Sequence, residues 1–260
     1  ILCVNIMSTT NEIQTENVII SKETTKRLIK DIKDLIKSPL DKEGIYYKHH
    51  DSNILKGYAY IQGPKDSMYS YGNYFFEFNF PVDYPHRPPT VVFLNQDGKT
   101  RFHPNMYKSG KMCLSILNTW QGEQWSGCQT IRSVLITILS IMDKEPLLHE
   151  PGISKNHYDF EKYNSIIYYK NIDFSINIVL DQERNIGFPF SYCCKLFSNE
   201  INEHLIQNYE KIKKICEKKS KTKPLQVKTT LYGLNETINW NSCYKCLISI
   251  KNKIDKDNKK

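Results

Sequence analysis

The 260-residue sequence lacks an apolar run long enough to cross a lipid bilayer. Its longest strongly apolar stretch, residues 134–142, is interrupted by Thr137 and Ser140, whereas a spanning helix needs roughly 20 apolar residues. The opening segment, ILCVNIM, is apolar but has neither a basic leader nor a small-residue cleavage site. The sequence therefore predicts neither a membrane span nor a secretory signal.

The usual marks of a metal or nucleotide site are also missing. Cys243 and Cys246 form a CxxC pair, but no second pair stands at the spacing of a zinc site. There is no glycine-rich phosphate loop. We therefore expect no bound metal and no bound cofactor. The eight cysteines are scattered without a secretory context, which predicts reduced thiols and a cytoplasmic or nuclear location.

Charge is distributed unevenly along the chain. The formal net charge is +8, and residues 205–260 hold fourteen Lys against five Asp or Glu, a local balance of +9. Such a segment can face an acidic or nucleic-acid partner, or it can be a solvated surface. Because no aromatic-and-basic nucleic-acid signature accompanies the lysines, the pattern favours a solvated surface, and nucleic acid is not an expected partner.

The first half of the chain predicts a helix followed by strands. Residues 1–20 are polar and aperiodic, which predicts a disordered leader. Apolar residues then recur at helical spacing, Ser21 can cap the run and Pro39 stops it. The strand-like segments show a period of two or short apolar runs and are joined by turn-forming residues, which favours an antiparallel meander. The predicted helix covers residues 22–37, and the predicted strands cover 55–62, 73–80 and 91–94.

A long irregular segment separates these strands from a second helix. Residues 95–129 show little periodicity, and irregular structure of that length in a compact domain is usually functional. Residues 131–142 predict a core helix that Thr130 can cap. The sequence beyond residue 153 has mainly helical patterns. We therefore predict an α+β core over residues 21–153 and a mainly helical extension over residues 154–260.

The irregular segment and its approach carry two linked motifs. PVDYPHRPP is followed by FHPNMYKSGKMCLSIL, in which Asn105 precedes Cys113 by eight residues. With the GPxDSxY turn before them, these motifs resemble the proline-rich turn, the HPN motif and the active-site cysteine segment of ubiquitin-conjugating enzymes, over residues 22–152. The resemblance implies the UBC-like fold, an antiparallel four-stranded meander with an N-terminal helix and a central core helix, here with a helical C-terminal extension.

Within that family the sequence most resembles the Z-type subgroup. LNTWQGEQWS matches the subgroup's insertion after the cysteine segment, and NYEKIKKICEKK resembles its helical extension. The subgroup can accept a tandem ubiquitin-like modifier, so the resemblance leaves both ubiquitin and a ubiquitin-like protein open as the modifier.

The resemblance implies that Cys113 is a nucleophile that receives the modifier as a thioester from an activating enzyme, which consumes the ATP. Asn105 is the side chain that the family places near the tetrahedral oxyanion when a substrate lysine attacks, although bracing of the loop is an alternative role. His103, before Pro104, is expected to be a structural hydrogen-bonding residue. Many members carry an acidic residue after the core helix. Here that stretch reads MDKEPLLHEPG, and His149 or Glu150 is the candidate for lysine activation.

The family's ligase-binding surface maps to the first helix, the proline turn and the loop before the core helix. In this sequence it comprises Lys26, Lys30, His86 and Ser126. His86 stands where many members have an apolar residue, and SGC replaces Ser-Pro-Ala, so binding of common ligases is an open question.

Two other functions stay open beside the enzyme, namely a non-catalytic scaffold of the same fold and a nucleic-acid adaptor. The retained cysteine and HPN motif favour the enzyme.

Overall fold

A computed structural model describes residues 20–257, so the predicted leader over residues 1–20 lies almost entirely outside the described part. The first helix, α1 (Lys22–Lys37), has the predicted bounds. The Ser21 hydroxyl accepts a hydrogen bond from the backbone N–H of Thr24 at 2.9 Å, which satisfies one of the free N–H groups at the helix start. Leu28 and Leu35 are buried, so the apolar side of α1 faces the core.

The sheet has four antiparallel strands, each paired with the next one along the chain, which confirms the predicted α+β meander. The apolar pattern of the sequence located three of these strands, but it missed the first. Only its first residue is buried and the remaining four are half-buried, so its side chains carry no clear alternation. The strands are β1 (Ile45–His49), β2 (Lys56–Gln62), β3 (Asn73–Asn79) and β4 (Thr90–Phe93).

The core helix, α2 (Ile131–Ile141), is capped at Thr130 as predicted. Thr130 and Ser133 form a capping box in which each side chain bonds the backbone N–H of the other residue. Aromatic side chains fill the inner face of β3, because Tyr74, Phe76 and Phe78 are all fully buried. This packing makes α2 and the sheet one hydrophobic core.

The C-terminal extension is mainly helical but also contains a β-hairpin that the sequence pattern did not predict. A π-helical turn, Asp173–Ile178, continues the first helix of the extension. The two strands of the hairpin pair in antiparallel register. The elements are α3 (Phe160–Ile172), α4 (Ser191–Leu196), α5 (Ser198–Ser220), β5 (Leu225–Lys228), β6 (Asn235–Ile238) and α6 (Trp240–Asp257).

The extension packs against the outer face of the four-stranded sheet. The ring of Phe75 stacks on Phe190 with centroids 5.9 Å apart, and the ring of Tyr60 lies 5.8 Å from Phe197. Phe75, Tyr60, Phe190 and Phe197 are all fully buried. Because such contacts remove large aromatic surfaces from water, the extension is part of the folded core rather than an appended tail.

Candidate active site around Cys113

Cys113 and Asn105 are held together by two hydrogen bonds. The backbone N–H of Cys113 donates to the Asn105 carbonyl at 2.9 Å, and Asn105 Nδ2 donates to the Cys113 carbonyl at 2.5 Å. Cys113 is only 3% exposed. An isolated β-bridge between Met106 and Met112 lies next to this pair and closes the residues between them into a loop. The structure therefore places the two residues of the predicted site side by side.

The side-chain amide of Asn105 is aimed at backbone rather than at solvent. Its Nδ2 binds the Cys113 carbonyl, while its Oδ1 is buried without a hydrogen-bond partner in the described residues. The amide nitrogen carries two protons, so one remains for another acceptor. This geometry is compatible with both roles inferred from the sequence, bracing of the loop and donation to an oxyanion.

Thr119 is a site residue that reasoning from the sequence missed. Its hydroxyl accepts a hydrogen bond from the N–H of Leu114 at 2.9 Å and lies 3.0 Å from the Met112 carbonyl, to which it can donate. Its own N–H donates to the Leu114 carbonyl. One side chain therefore fixes the backbone on both sides of Cys113. The signal was present in the NTW insertion, since a hydroxyl next to a turn residue commonly bonds nearby backbone.

His103 lies in the core and braces the loop. It is fully buried, and its Nδ1 accepts a hydrogen bond from the backbone N–H of Asn105 at 2.9 Å. Burial, with a smaller contribution from the neighbouring His149 ring, lowers the pKa of His103 well below its usual value. The imidazole is therefore neutral with its proton on Nε2, and Nδ1 is committed to the backbone.

Both predicted lysine-activating residues contact other side chains. His149 Nε2 lies 2.9 Å from Asp143 Oδ2, and the Glu150 carboxylate accepts a hydrogen bond from the Tyr232 hydroxyl. The ring centroids of His149 and His103 are 4.8 Å apart, which places His149 beside the HPN motif. A histidine paired with a carboxylate is an arrangement that can accept a proton. Asp143 was not singled out from the sequence.

The four residues assigned to the ligase-binding surface lie in one region. Lys26, Lys30 and Pro85 line a single surface cleft. His86 Nε2 lies 3.7 Å from a carboxylate oxygen of Glu23 on α1. Arg27, on the same helix, donates to the carbonyl of Gly127 at 2.6 Å and so ties α1 to the loop that contains Ser126.

Trp125 anchors the loop after the cysteine segment. Its indole Nε1 donates to the Pro85 carbonyl at 2.7 Å, and its backbone N–H donates to Asn118 Oδ1 at 2.8 Å. Asn118 adopts a positive φ of 57°, a conformation that Asn tolerates better than most residues. Trp120 in the same loop is 42% exposed. Trp125 is thus a packing residue, whereas Trp120 faces solvent.

Residues 20–257 contain no group of three or more His, Cys, Asp or Glu side chains that could hold a metal ion. Cys243 is buried on α6 and Cys246 is half-buried one turn further along the same helix. No helix in the described part of the chain is both long enough and apolar enough to span a membrane.

Comparison with known proteins identifies the family. The family model described as "Ubiquitin-conjugating enzyme" matches residues 27–176. Ubiquitin-conjugating enzyme E2 Z of Xenopus tropicalis is 37% identical over 164 residues, covering 62% of this chain and 52% of that protein. The human E2 Z is 40% identical over 149 residues, covering 56% of this chain and 42% of that protein.

A third relative is more distant. The probable ubiquitin-conjugating enzyme protein 17 of Caenorhabditis elegans is 34% identical over 171 residues, covering 60% of this chain and 23% of that protein. The chain thus spans about half the length, or less, of the curated relatives it matches. The similarity to E2 Z confirms the Z-type resemblance inferred from the NTW insertion, and the chain belongs to the ubiquitin-conjugating enzyme family.

Proposed function

We propose that the chain accepts ubiquitin from a ubiquitin-activating enzyme as a thioester on Cys113 and transfers it to a substrate lysine. The observation that carries the proposal is the pair of hydrogen bonds between Cys113 and Asn105, in a chain of this family. A nucleophile whose backbone is fixed on both sides suits an exchange of thioesters, which requires positioning more than strong activation.

The chemistry proceeds in two steps. The Cys113 thiolate attacks the thioester carbonyl carbon on the activating enzyme, a new carbon–sulfur bond forms, and the activating enzyme leaves as its own thiolate. A neutral lysine amine then attacks the Cys113 thioester. The tetrahedral oxyanion collapses to an isopeptide bond and releases the Cys113 thiolate.

Asn105 supplies the donor for the second step. Its Nδ2 donates to the backbone carbonyl of Cys113, the residue that carries the thioester, and its second proton is available for the oxyanion. Donation to the oxyanion stabilises the transition state more than the ground state, which is the condition for accelerating the transfer.

The His149–Asp143 pair is the group best arranged to take the proton from the incoming lysine. Its 2.9 Å contact orients the imidazole, and Asp143 stabilises the cation that forms when His149 accepts a proton. Glu150 is the weaker candidate because its carboxylate is already bonded by Tyr232.

The partners follow from this function. They are ubiquitin or a ubiquitin-like protein, the activating enzyme, substrate lysines and a ligase that recognises the surface of Lys26, Lys30, His86 and Ser126. ATP is consumed by the activating enzyme, and we propose no cofactor for this chain. We place the reaction in the cytoplasm or nucleus, where thiols stay reduced.

A charging assay tests the proposal. The chain is incubated with activating enzyme, ATP and ubiquitin, and the products are separated by non-reducing electrophoresis. We expect a ubiquitin adduct that a thiol reductant removes, that Cys113→Ala abolishes and that Cys113→Ser converts to a reductant-resistant ester. Cys128→Ala is the matched control, because Cys128 is an exposed thiol in the same region of the chain. An adduct that survives reductant in the unsubstituted chain, or that persists in Cys113→Ala, contradicts the thioester.

The same assay separates the alternatives. Charging with a tandem ubiquitin-like modifier but not with ubiquitin would identify a different modifier. Binding of ubiquitin or of a ligase without any charging would identify a scaffold of the same fold.

A further inference from the structure

The turn between β5 and β6 holds a tyrosine in an unfavourable backbone conformation. Tyr232 has φ 61° and ψ 0°, in the left-handed region that glycine and asparagine occupy far more readily. Gly233 follows with φ 58°. A bulky residue held in this region needs support from its surroundings, and such residues concentrate at functional sites.

A buried carboxylate fixes this turn to the start of α3. Asp159 Oδ2 accepts hydrogen bonds from the backbone N–H groups of Thr230 at 2.9 Å and Leu231 at 2.8 Å. Asp159 is fully buried. The two charge-assisted bonds therefore set the position of Tyr232 independently of its side chain.

Tyr232 contacts two basic residues that flank the HPN motif. The Arg101 guanidinium lies 4.5 Å from the centroid of the Tyr232 ring and 3.6 Å from that of Tyr107, so it is held between two aromatic faces. Lys108 Nζ donates to the Tyr232 carbonyl at 2.8 Å. One residue of the extension thus meets the chain on both sides of the motif.

Arg101 connects Tyr232 to the HPN motif. Its Nη2 donates to the carbonyl of Pro104, the residue immediately before Asn105. The carbonyl of Arg101 itself accepts a hydrogen bond from the Tyr163 hydroxyl at 2.9 Å. Tyr163 on α3 therefore fixes the backbone of Arg101, and Tyr232 packs against its guanidinium plane. Arg101 in turn holds the peptide group between Pro104 and Asn105.

The other end of Tyr232 reaches the segment after the core helix. Its hydroxyl donates to the Glu150 carboxylate, next to His149. Burial, and then the bonded Glu150 carboxylate, raise the pKa of Tyr232, so the hydroxyl keeps its proton. The side chain connects the two segments that the transfer step uses.

We propose that Tyr232 is a positioning residue for the transfer step, acting through Arg101 and Pro104 to set the direction of the Asn105 amide. The inference rests on the proposed function, because it concerns the residue that stabilises the oxyanion. A displacement of about 1 Å at a catalytic group can cost as much as 100-fold in rate, so a support outside the site can affect the chemistry. The competing explanation is that Tyr232 only stabilises the fold.

The test measures single-turnover discharge of preloaded Cys113 to free lysine in the full chain. Tyr232→Asn removes the ring but keeps a residue that tolerates the left-handed turn, and Tyr232→Phe keeps the ring. We expect Tyr232→Asn to slow discharge about tenfold with little change in charging. Tyr232→Phe should retain most of the discharge rate of the unsubstituted chain. Arg101→Lys, which keeps the charge but loses the planar fork, should slow discharge similarly.

A combined variant separates positioning from folding. In an Asn105→Ala background, Tyr232→Asn should cause no further slowing, because its effect passes through the missing amide. Tyr209→Ala is the matched control, since Tyr209 on α5 is another tyrosine of the extension whose ring packs against a basic side chain, with Lys251 Nζ 5.4 Å from its ring centroid. It should leave discharge unchanged.

Three results would overturn the inference while leaving the proposed function intact. They are an unchanged discharge rate in both Tyr232→Asn and Arg101→Lys, an equal slowing in the Asn105→Ala background, and a parallel loss of charging and discharge. If the unsubstituted chain does not charge at all, the proposed function fails, and this inference fails with it.

Discussion

His103 Nδ1 accepts a hydrogen bond from the backbone N–H of Asn105 at 2.9 Å, so the two polar residues of the HPN motif are joined through the backbone. The bond requires an unprotonated Nδ1, and burial of His103 opposes protonation. This relationship makes the loop sensitive to acid.

We expect stability to fall as pH drops below about 6.5, the pKa of an exposed histidine. Because the pKa of His103 is lowered in the folded state, the unfolded chain binds more protons in this range, and acid favours unfolding. Burial also lowers the pKa of His49 and His204, which act in the same direction. His103→Asn, which retains an acceptor, should reduce the slope by up to about 1.4 kcal/mol per pH unit. Urea unfolding between pH 5 and 7 measures this, and an unchanged slope would contradict it.

Asn105→Ala should slow discharge of the Cys113 thioester to lysine by about 100-fold, because an oxyanion donor is lost. The Cys113 carbonyl also loses its side-chain donor, at a cost to folding of about 1 kcal/mol. Single-turnover discharge and urea unfolding separate the two effects. Asn53→Ala, in the turn between β1 and β2, is the control. If only stability changes, Asn105 braces the loop and does not stabilise the transition state.

Thr119→Val should destabilise the cysteine segment by about 1 kcal/mol, since the Leu114 N–H loses its acceptor while the side-chain volume is nearly unchanged. Charging of Cys113 should slow because its backbone is less fixed. Thr119→Ser keeps the hydroxyl and should behave as the unsubstituted chain does. Equal charging rates in the two variants would show that the hydroxyl has no role in holding Cys113.

His149→Ala and Asp143→Asn should each slow discharge to lysine, by about 100-fold for the loss of a general base, while charging is retained. The slowing should shrink at high pH, where free lysine amine is plentiful. Discharge measured between pH 7 and 10 tests this, with His50→Ala, directly after β1, as the control. A slowing that is constant across this range would mean that the pair orients the segment and does not take the proton.

Phe190→Ala should cost about 3–5 kcal/mol of folding free energy, because a fully buried ring that stacks on Phe75 is replaced by a cavity. Tyr192→Ala, at a side chain that is 49% exposed, should cost far less. Urea unfolding gives both values. Equal losses would contradict the conclusion that the extension is part of the core.

Most of the fold could be predicted because its signals are local. The repeat of apolar residues located α1 and α2 to within one residue, and the alternation along β3 located that strand. β1 was missed because an edge strand that is mostly half-buried shows little alternation. The β5–β6 hairpin was missed because each of its short strands has only one buried residue, so neither shows an apolar run or an alternation.

The site divides in the same way. Asn105 and Cys113 are eight residues apart, so a motif holds both, and Thr119 lies within the same segment. Tyr232 was missed because its contact with Lys108 joins residues 124 positions apart. No period or motif signals such a contact, which depends on how α3 and the hairpin pack. The pairing of His149 with Asp143 was missed because Asp143 lies in irregular structure and His149 ends a short 3₁₀ helix, so no period links the two residues.

The cover of the sheet's outer face constrains how this chain can evolve. Phe190 and Phe197 cover Tyr60 and Phe75 and keep these two apolar rings out of water. A descendant that lost the extension would expose a band of aromatic rings across its central strands and would aggregate unless polar residues replaced them first. The extension and the sheet can therefore change only together.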